Sequence, residues 1–93
     1  MQLTYRFDQA RVEIKETDTG TDTEFEIKIL EDGPLIAGIK EIHKFFEENR
    51  VYTDVMFYVY EHHQYKVIVR QDYYTDFILA LMKHHLLLSV EWV

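Results

Sequence analysis

Hydrophobic and polar residues alternate with a period of two from Val55 to Val59 and again from Tyr65 to Val69, on either side of the polar stretch Glu61-His62-His63-Gln64. Alternation of β-favouring residues across a short polar turn predicts a hairpin, here running from Tyr52 to Arg70. Val55, Phe57 and Val59 fall on one face of the first arm, and Tyr65, Val67 and Val69 on one face of the second. Both sets suit the inner face of a half-buried antiparallel sheet. Met56, Tyr58 and Tyr60 then fall on the opposite face, beside Lys66, Ile68 and Arg70.

The rest of the chain extends this pattern. Leu3, Tyr5 and Phe7 alternate, and Val12 and Ile14 alternate on the other parity, so a bulge or short turn is expected across Asp8-Gln9-Ala10. Glu16 to Thr23 is dense in turn formers around Gly20 and predicts an exposed hairpin loop. Phe25, Ile27 and Ile29 follow as a strand with one wet face. At Asp32-Gly33-Pro34 the period changes: Leu35, Ile39, Ile42 and Phe46 form an apolar stripe over a helix from about 33 to 49, with Asp32 as N-cap and Asn49 as stop. A second helix is expected, capped by Asp72 and with Lys83, His84 and His85 in its last turn. Its consecutive Phe77–Met82 run covers more than one helical face, so one side must meet the sheet and another the first helix or a further subunit. Leu88, Val90 and Trp92 predict a closing strand.

The predicted fold class is α+β: a two-layer sandwich of an antiparallel sheet with two helices on one face, in the order β-β-α-β-β-α-β. From residue 24 onward the order matches the ferredoxin-like split βαβ arrangement, with an added N-terminal strand. The alternative is two ββα units side by side. A faint echo at a shift of 40 residues accompanies both readings. It aligns Phe25, Ile27, Ile29 and Asp32 with Tyr65, Val67, Val69 and Asp72, and it is the pattern any strand–helix unit needs.

Length and charge narrow the function classes. Ninety-three residues suit a single domain, 1–93, and a hydrophobic fraction of 47% argues against disorder. The absence of cysteine excludes a disulfide scaffold and thiol chemistry. The start MQLTYRFDQA does not read as a signal peptide, and no apolar run is long enough to span a bilayer, so a cytoplasmic protein without membrane contact is expected. Residues 13–32 hold eight acidic side chains against Lys15 and Lys28, which accounts for −6 of the net −7. No basic cluster exists for a phosphate backbone, so nucleic-acid binding is not expected.

Chemical motifs are few. Asp18-Thr19-Gly20 resembles the aspartic-protease triplet, but it lies in a polar turn rather than at the end of a buried strand. Asp18, Asp22 and Glu24 lack the spacing of an EF-hand loop. His62-His63 fall in a turn and His84-His85 at a helix end, while His43 has Glu47 one turn on; neighbouring histidines point apart, and a metal site would need separate elements to converge. Ser89 is the only serine and no nucleophile elbow surrounds it. No catalytic residue, metal or cofactor is therefore expected.

What remains is the outer face of the central hairpin. Tyrosine, methionine and arginine are enriched at interface centres, so Met56, Tyr58, Tyr60, Ile68 and Arg70 are the candidate partner-binding residues. The expected role is protein–protein interaction, with another protein or with a second copy as a homodimer, in an accessory or inhibitor capacity. Tyrosine on a wet sheet face is also an ordinary strand former. A dimeric domain regulated by a small molecule is the alternative, and a small histidine-using enzyme the third reading.

Overall fold

The computed structural model describes residues 2–48 and 54–93; the expected stop at Asn49 and the start of the hairpin at Tyr52 lie outside them. The elements in chain order are β1 (Leu3–Arg6), β2 (Val12–Asp18), β3 (Asp22–Ile29), α1 (Pro34–Glu48), β4 (Val55–Tyr60), β5 (Gln64–Arg70), α2 (Tyr74–Lys83) and β6 (Ser89–Trp92). Strands β2 to β5 form one antiparallel sheet in the order β2-β3-β5-β4, and β1 pairs with β6 in a separate two-stranded ribbon. The class is α+β, as the patterning predicts.

Two details of the predicted order change. Of the bulge and the short turn expected after Phe7, the turn is present, and it separates two strands, β1 and β2, that the predicted order counts as one. The Asp8 carbonyl accepts from the amides of Arg11 and Val12, and its carboxylate accepts from the Ala10 amide, making a tight turn. The two pieces therefore enter different sheets. The last strand does not join the main sheet either. Strand β2, as the hairpin partner of β3, occupies the neighbouring place, and β6 pairs with β1 instead, from Leu3–Trp92 to Arg6–Ser89. Gln2 and Val93 extend that ribbon with two reciprocal 2.7 Å backbone hydrogen bonds.

The main sheet is thus built from two ββα units, β2-β3-α1 and β4-β5-α2, joined through β3 and β5. The pairs Phe25–Val67 and Ile27–Tyr65 exchange under the 40-residue shift seen in the sequence. A pseudo-two-fold axis consequently passes through the Glu26–Lys66 pair. The hairpins obey it too, since Val12 lies opposite Ile29 and Val55 opposite Val69.

Both helices cover one face of the sheet. Phe25, Ile27, Ile29, Tyr65, Val67 and Val69 are buried there beneath Leu35, Ile39, Ile42 and Phe46 of α1 and Phe77, Ile78 and Leu81 of α2. Phe77 is the hub. Its ring lies 4.8 Å from Phe25, 6.0 Å from Phe46 and 6.2 Å from Phe57, so it ties β3, α1 and β4 to α2. Val59 departs from expectation: it has the inward parity but is 57% exposed. Parity selects the face, but at the end of an edge strand it does not guarantee cover.

The helix ends also depart from the predicted caps. The Gly33 carbonyl accepts from the Ala37 amide, which makes Gly33 (φ +113°) the N-cap of α1 and leaves Asp32 one residue outside. Asp72 does not cap α2. It sits in a 3₁₀ turn, Gln71–Tyr73, that precedes the helix. At the other end of α2, the amides of His85 and Leu86 donate to the carbonyls of Met82 and Leu81, a Schellman closure with His85 in the left-handed conformation at φ +66°.

The central hairpin turns on two more left-handed residues, His62 (φ +60°) and His63 (φ +58°). Each non-glycine residue there costs roughly 1 kcal/mol. Asn-Gly is the preferred pair for two successive positive φ values. The double substitution His62→Asn, His63→Gly is expected to stabilise the protein by about 1–2 kcal/mol, raising the melting temperature by roughly 4–8 °C per kcal/mol. Calorimetry checks this, and an unchanged or lower midpoint would contradict it.

Candidate functional site

The face of the main sheet opposite the helices is uncovered among the described residues. Cross-strand register orders it into rows. Met56, Ile68, Glu24 and Thr17 form one row; Tyr58, Lys66, Glu26 and Lys15 the next; Tyr60, Gln64, Lys28 and Glu13 the third. Read across the sheet, the β4 side is aromatic and apolar, and the β2–β3 side is a ladder of alternating charge.

The hairpin itself creates this division. Strand alternation sends Met56, Tyr58 and Tyr60 outward, and antiparallel pairing sets Ile68 beside Met56. Met56 is 45%, Tyr58 40% and Tyr60 54% exposed, which is high for large apolar side chains. Arg70 pairs with Asp54 at 3.3 Å and stands opposite Asp22, so its guanidinium is held at the sheet end. All five residues singled out from the sequence thus share one surface. Met56, Ile68 and Arg70 line a shallow depression of about 270 Å³ with Thr21 and Asp22. Tyr60 borders a second, of about 570 Å³, whose other walls include Lys15, Glu26, Lys28 and Lys66. Lys66 joins the two halves. Its Nζ donates to Glu24 at 3.3 Å, and that bond and the carboxylate's charge push the ammonium pKa above its ordinary value of 10.5.

A second cluster escaped the sequence reading. The Glu16 carboxylate accepts from the Tyr5 hydroxyl at 2.8 Å and from the Tyr74 hydroxyl at 3.0 Å, so β1, β2 and the first turn of α2 meet on one side chain. Asp18, next on the same face of β2, accepts from the Gly20 amide at 2.8 Å and from Gln71 Nε2 at 3.3 Å. These contacts span up to 58 residues of chain, and no local pattern announces them. A cleft of about 520 Å³ opens beside them, with Trp92 and Thr23 on its walls.

This clasp titrates at high pH. Burial first, then the hydrogen bond and charge of Glu16, hold the Tyr5 phenol far above its ordinary 10.0; burial and Glu16 do the same to Tyr74. Both therefore keep protons in the fold at pH values where the unfolded chain releases them. The folded state binds more protons above pH 10, so stability is full below 10 and falls as pH rises through that value. A Tyr5→Phe, Tyr74→Phe variant is expected to be less stable at neutral pH yet to lose less stability above pH 10, as measured by denaturation at a series of pH values. Parallel pH curves for the two proteins would contradict the clasp.

Elsewhere the chemistry is dispersed. His43 stacks on Phe57 at 4.5 Å and contacts Glu47 at 3.2 Å, while His63 faces Asp32 at 3.7 Å. Among the described residues no three histidine, aspartate or glutamate side chains form a group able to hold a metal. Asp18-Thr19-Gly20 is an exposed turn at the tip of the β2–β3 hairpin. Between the helices, Phe45 (59% exposed) and Leu79 (51%) flank a groove of about 540 Å³, so the excess apolar surface expected on α2 is open among the described residues. Among the described residues no helix is long and apolar enough to cross a membrane. No family model, curated protein or solved structure matches the chain.

Proposed function

We propose that this chain is a protein-binding module that acts without catalysis, as an accessory or inhibitor protein, through the open face of the β4–β5 hairpin. The observation that carries this reading is the convergence of Met56, Tyr58, Tyr60, Ile68 and Arg70 on one uncovered surface. Tyrosines give rigid, amphipathic contact area, and an arginine at the margin supplies directional hydrogen bonds. The charged ladder of β2–β3 beside it forms a polar rim that excludes mismatched partners. The tyrosine cleft argues less well for a small-molecule site, because both hydroxyls there are already committed to Glu16. The partner is another protein or a second copy.

The lack of cysteine makes a direct test simple, since one introduced thiol is unique. Tyr58→Cys and Ile68→Cys, labelled with a photoreactive group, are expected to cross-link the partner in extracts of the source cells. Lys40→Cys on α1 is expected not to. Equal cross-linking from all three positions would contradict the assignment.

A further inference from the structure

The main sheet has two edges, and they differ in kind. Strand β2 carries Glu13, Lys15, Glu16 and Asp18 among its seven residues, whereas β4 reads Val-Met-Phe-Tyr-Val-Tyr with no charge. Natural edge strands are kept from pairing by lysine, proline or a bulge. Among the described residues β4 has none of these, and its outer edge pairs with no strand. Its side chains are also exposed, with Val59 uncovered on the helix side and Tyr60 on the open side.

We infer that β4 pairs antiparallel with β4 of a second copy, making one continuous eight-stranded sheet. This rests on the hairpin being the chain's interaction element, as proposed above. The charge distribution identifies the occupant. A chain of net −7 should repel its copy, but −6 of that charge lies in residues 13–32, on β2, β3 and their flanking turns. The order β2-β3-β5-β4 sets those strands away from β4. Across a β4–β4 seam, the two β3 strands stand five strand spacings apart, about 24 Å. That is well beyond the screening length of about 8 Å at physiological salt. Every other pairing of the two edges brings an acidic β2 to the seam.

Symmetry restricts the register. A two-fold axis perpendicular to the sheet keeps all four helices on one side and pairs residues of equal parity. Centring it on Phe57 sets Val55 opposite Val59 and Met56 opposite Tyr58 of the second copy. Val59 gains its missing cover, and Glu61 stays outside the paired segment. The two open faces merge into one surface of ten residues. A seam of six residues a side lies at the small end of interface sizes, so a weak, concentration-dependent dimer is expected.

Sedimentation equilibrium over a micromolar concentration series tests this. The wild type is expected to be a monomer–dimer system, and Val59→Lys to weaken it at least about tenfold, since an edge lysine opposes pairing. Lys15→Glu on β2 is expected to leave it unchanged. Hydrogen exchange on the wild type supplies a second readout that needs no variant: β4 amides should slow as dimer accumulates. A monomer at every concentration, a ladder of larger species, or a dimer with unprotected β4 amides would each overturn the seam. None of these outcomes touches cross-links from Ile68→Cys, on β5 and one strand in from the seam, to a protein other than this chain, which judge the open face by itself.

Discussion

Replacing Phe77 with alanine is expected to destabilise the protein by about 3–5 kcal/mol, the usual cost of removing a buried aromatic ring. Phe77 is fully buried, and its ring meets Phe25, Phe46 and Phe57 from three other elements. No neighbour can refill the void, because each is fixed by its own strand or helix. A domain of this size has only about 5–15 kcal/mol of stability in total, so the variant should be partly or largely unfolded at physiological temperature. Phe77→Leu, which keeps most of the volume, should lose much less. Urea denaturation followed by circular dichroism checks both, and a wild-type midpoint for Phe77→Ala would remove the residue from the centre of the core.

The second large effect is expected at Gly38. A Cβ there would lie 3.0 Å from His84 Cβ and 3.1 Å from the His84 carbonyl oxygen, at the turn that closes α2. Those atoms cannot swing aside, because the Schellman hydrogen bonds hold them. Gly38→Val adds a branch to a position already too close, and its expected cost is about 3 kcal/mol. Gly38→Ala should cost less, since the gain in helix propensity of roughly 1 kcal/mol offsets part of the overlap. Thermal denaturation of the two variants gives the order wild type, alanine, valine; equal midpoints would show that α1 can move away from α2 freely.

The sequence disclosed the central hairpin because its face assignment depends only on alternation about a short turn. Met56, Tyr58, Tyr60, Ile68 and Arg70 are therefore assigned to one face by alternation and pairing alone. The same logic misplaced Val59, since alternation carries no information about how far a covering helix extends. The break after Phe7 was visible, but its consequence was not. A parity change reads the same whether the strand bulges or ends, and only the partner of β1, 83 or more residues away at β6, decides between them. The Asp72 cap failed for a related reason: a 3₁₀ turn, Gln71–Tyr73, precedes the helix, so Tyr73 takes the capping position and Asp72 falls one residue outside it. The Tyr5–Glu16–Tyr74 clasp depends on three elements meeting and has no local signature at all. The 40-residue echo was legible as a pattern, and the Glu26–Lys66 pairing gives it a physical meaning, the axis relating two ββα units.

The central claim is that the open face of β4–β5 is a binding surface. Its most direct test is the affinity of the cross-linked partner, once purified, for the wild type and for Tyr58→Asp. A carboxylate at the middle of the aromatic row is expected to weaken binding by at least about thirtyfold, or 2 kcal/mol, while circular dichroism stays unchanged. Binding at wild-type affinity by the folded variant would contradict the claim.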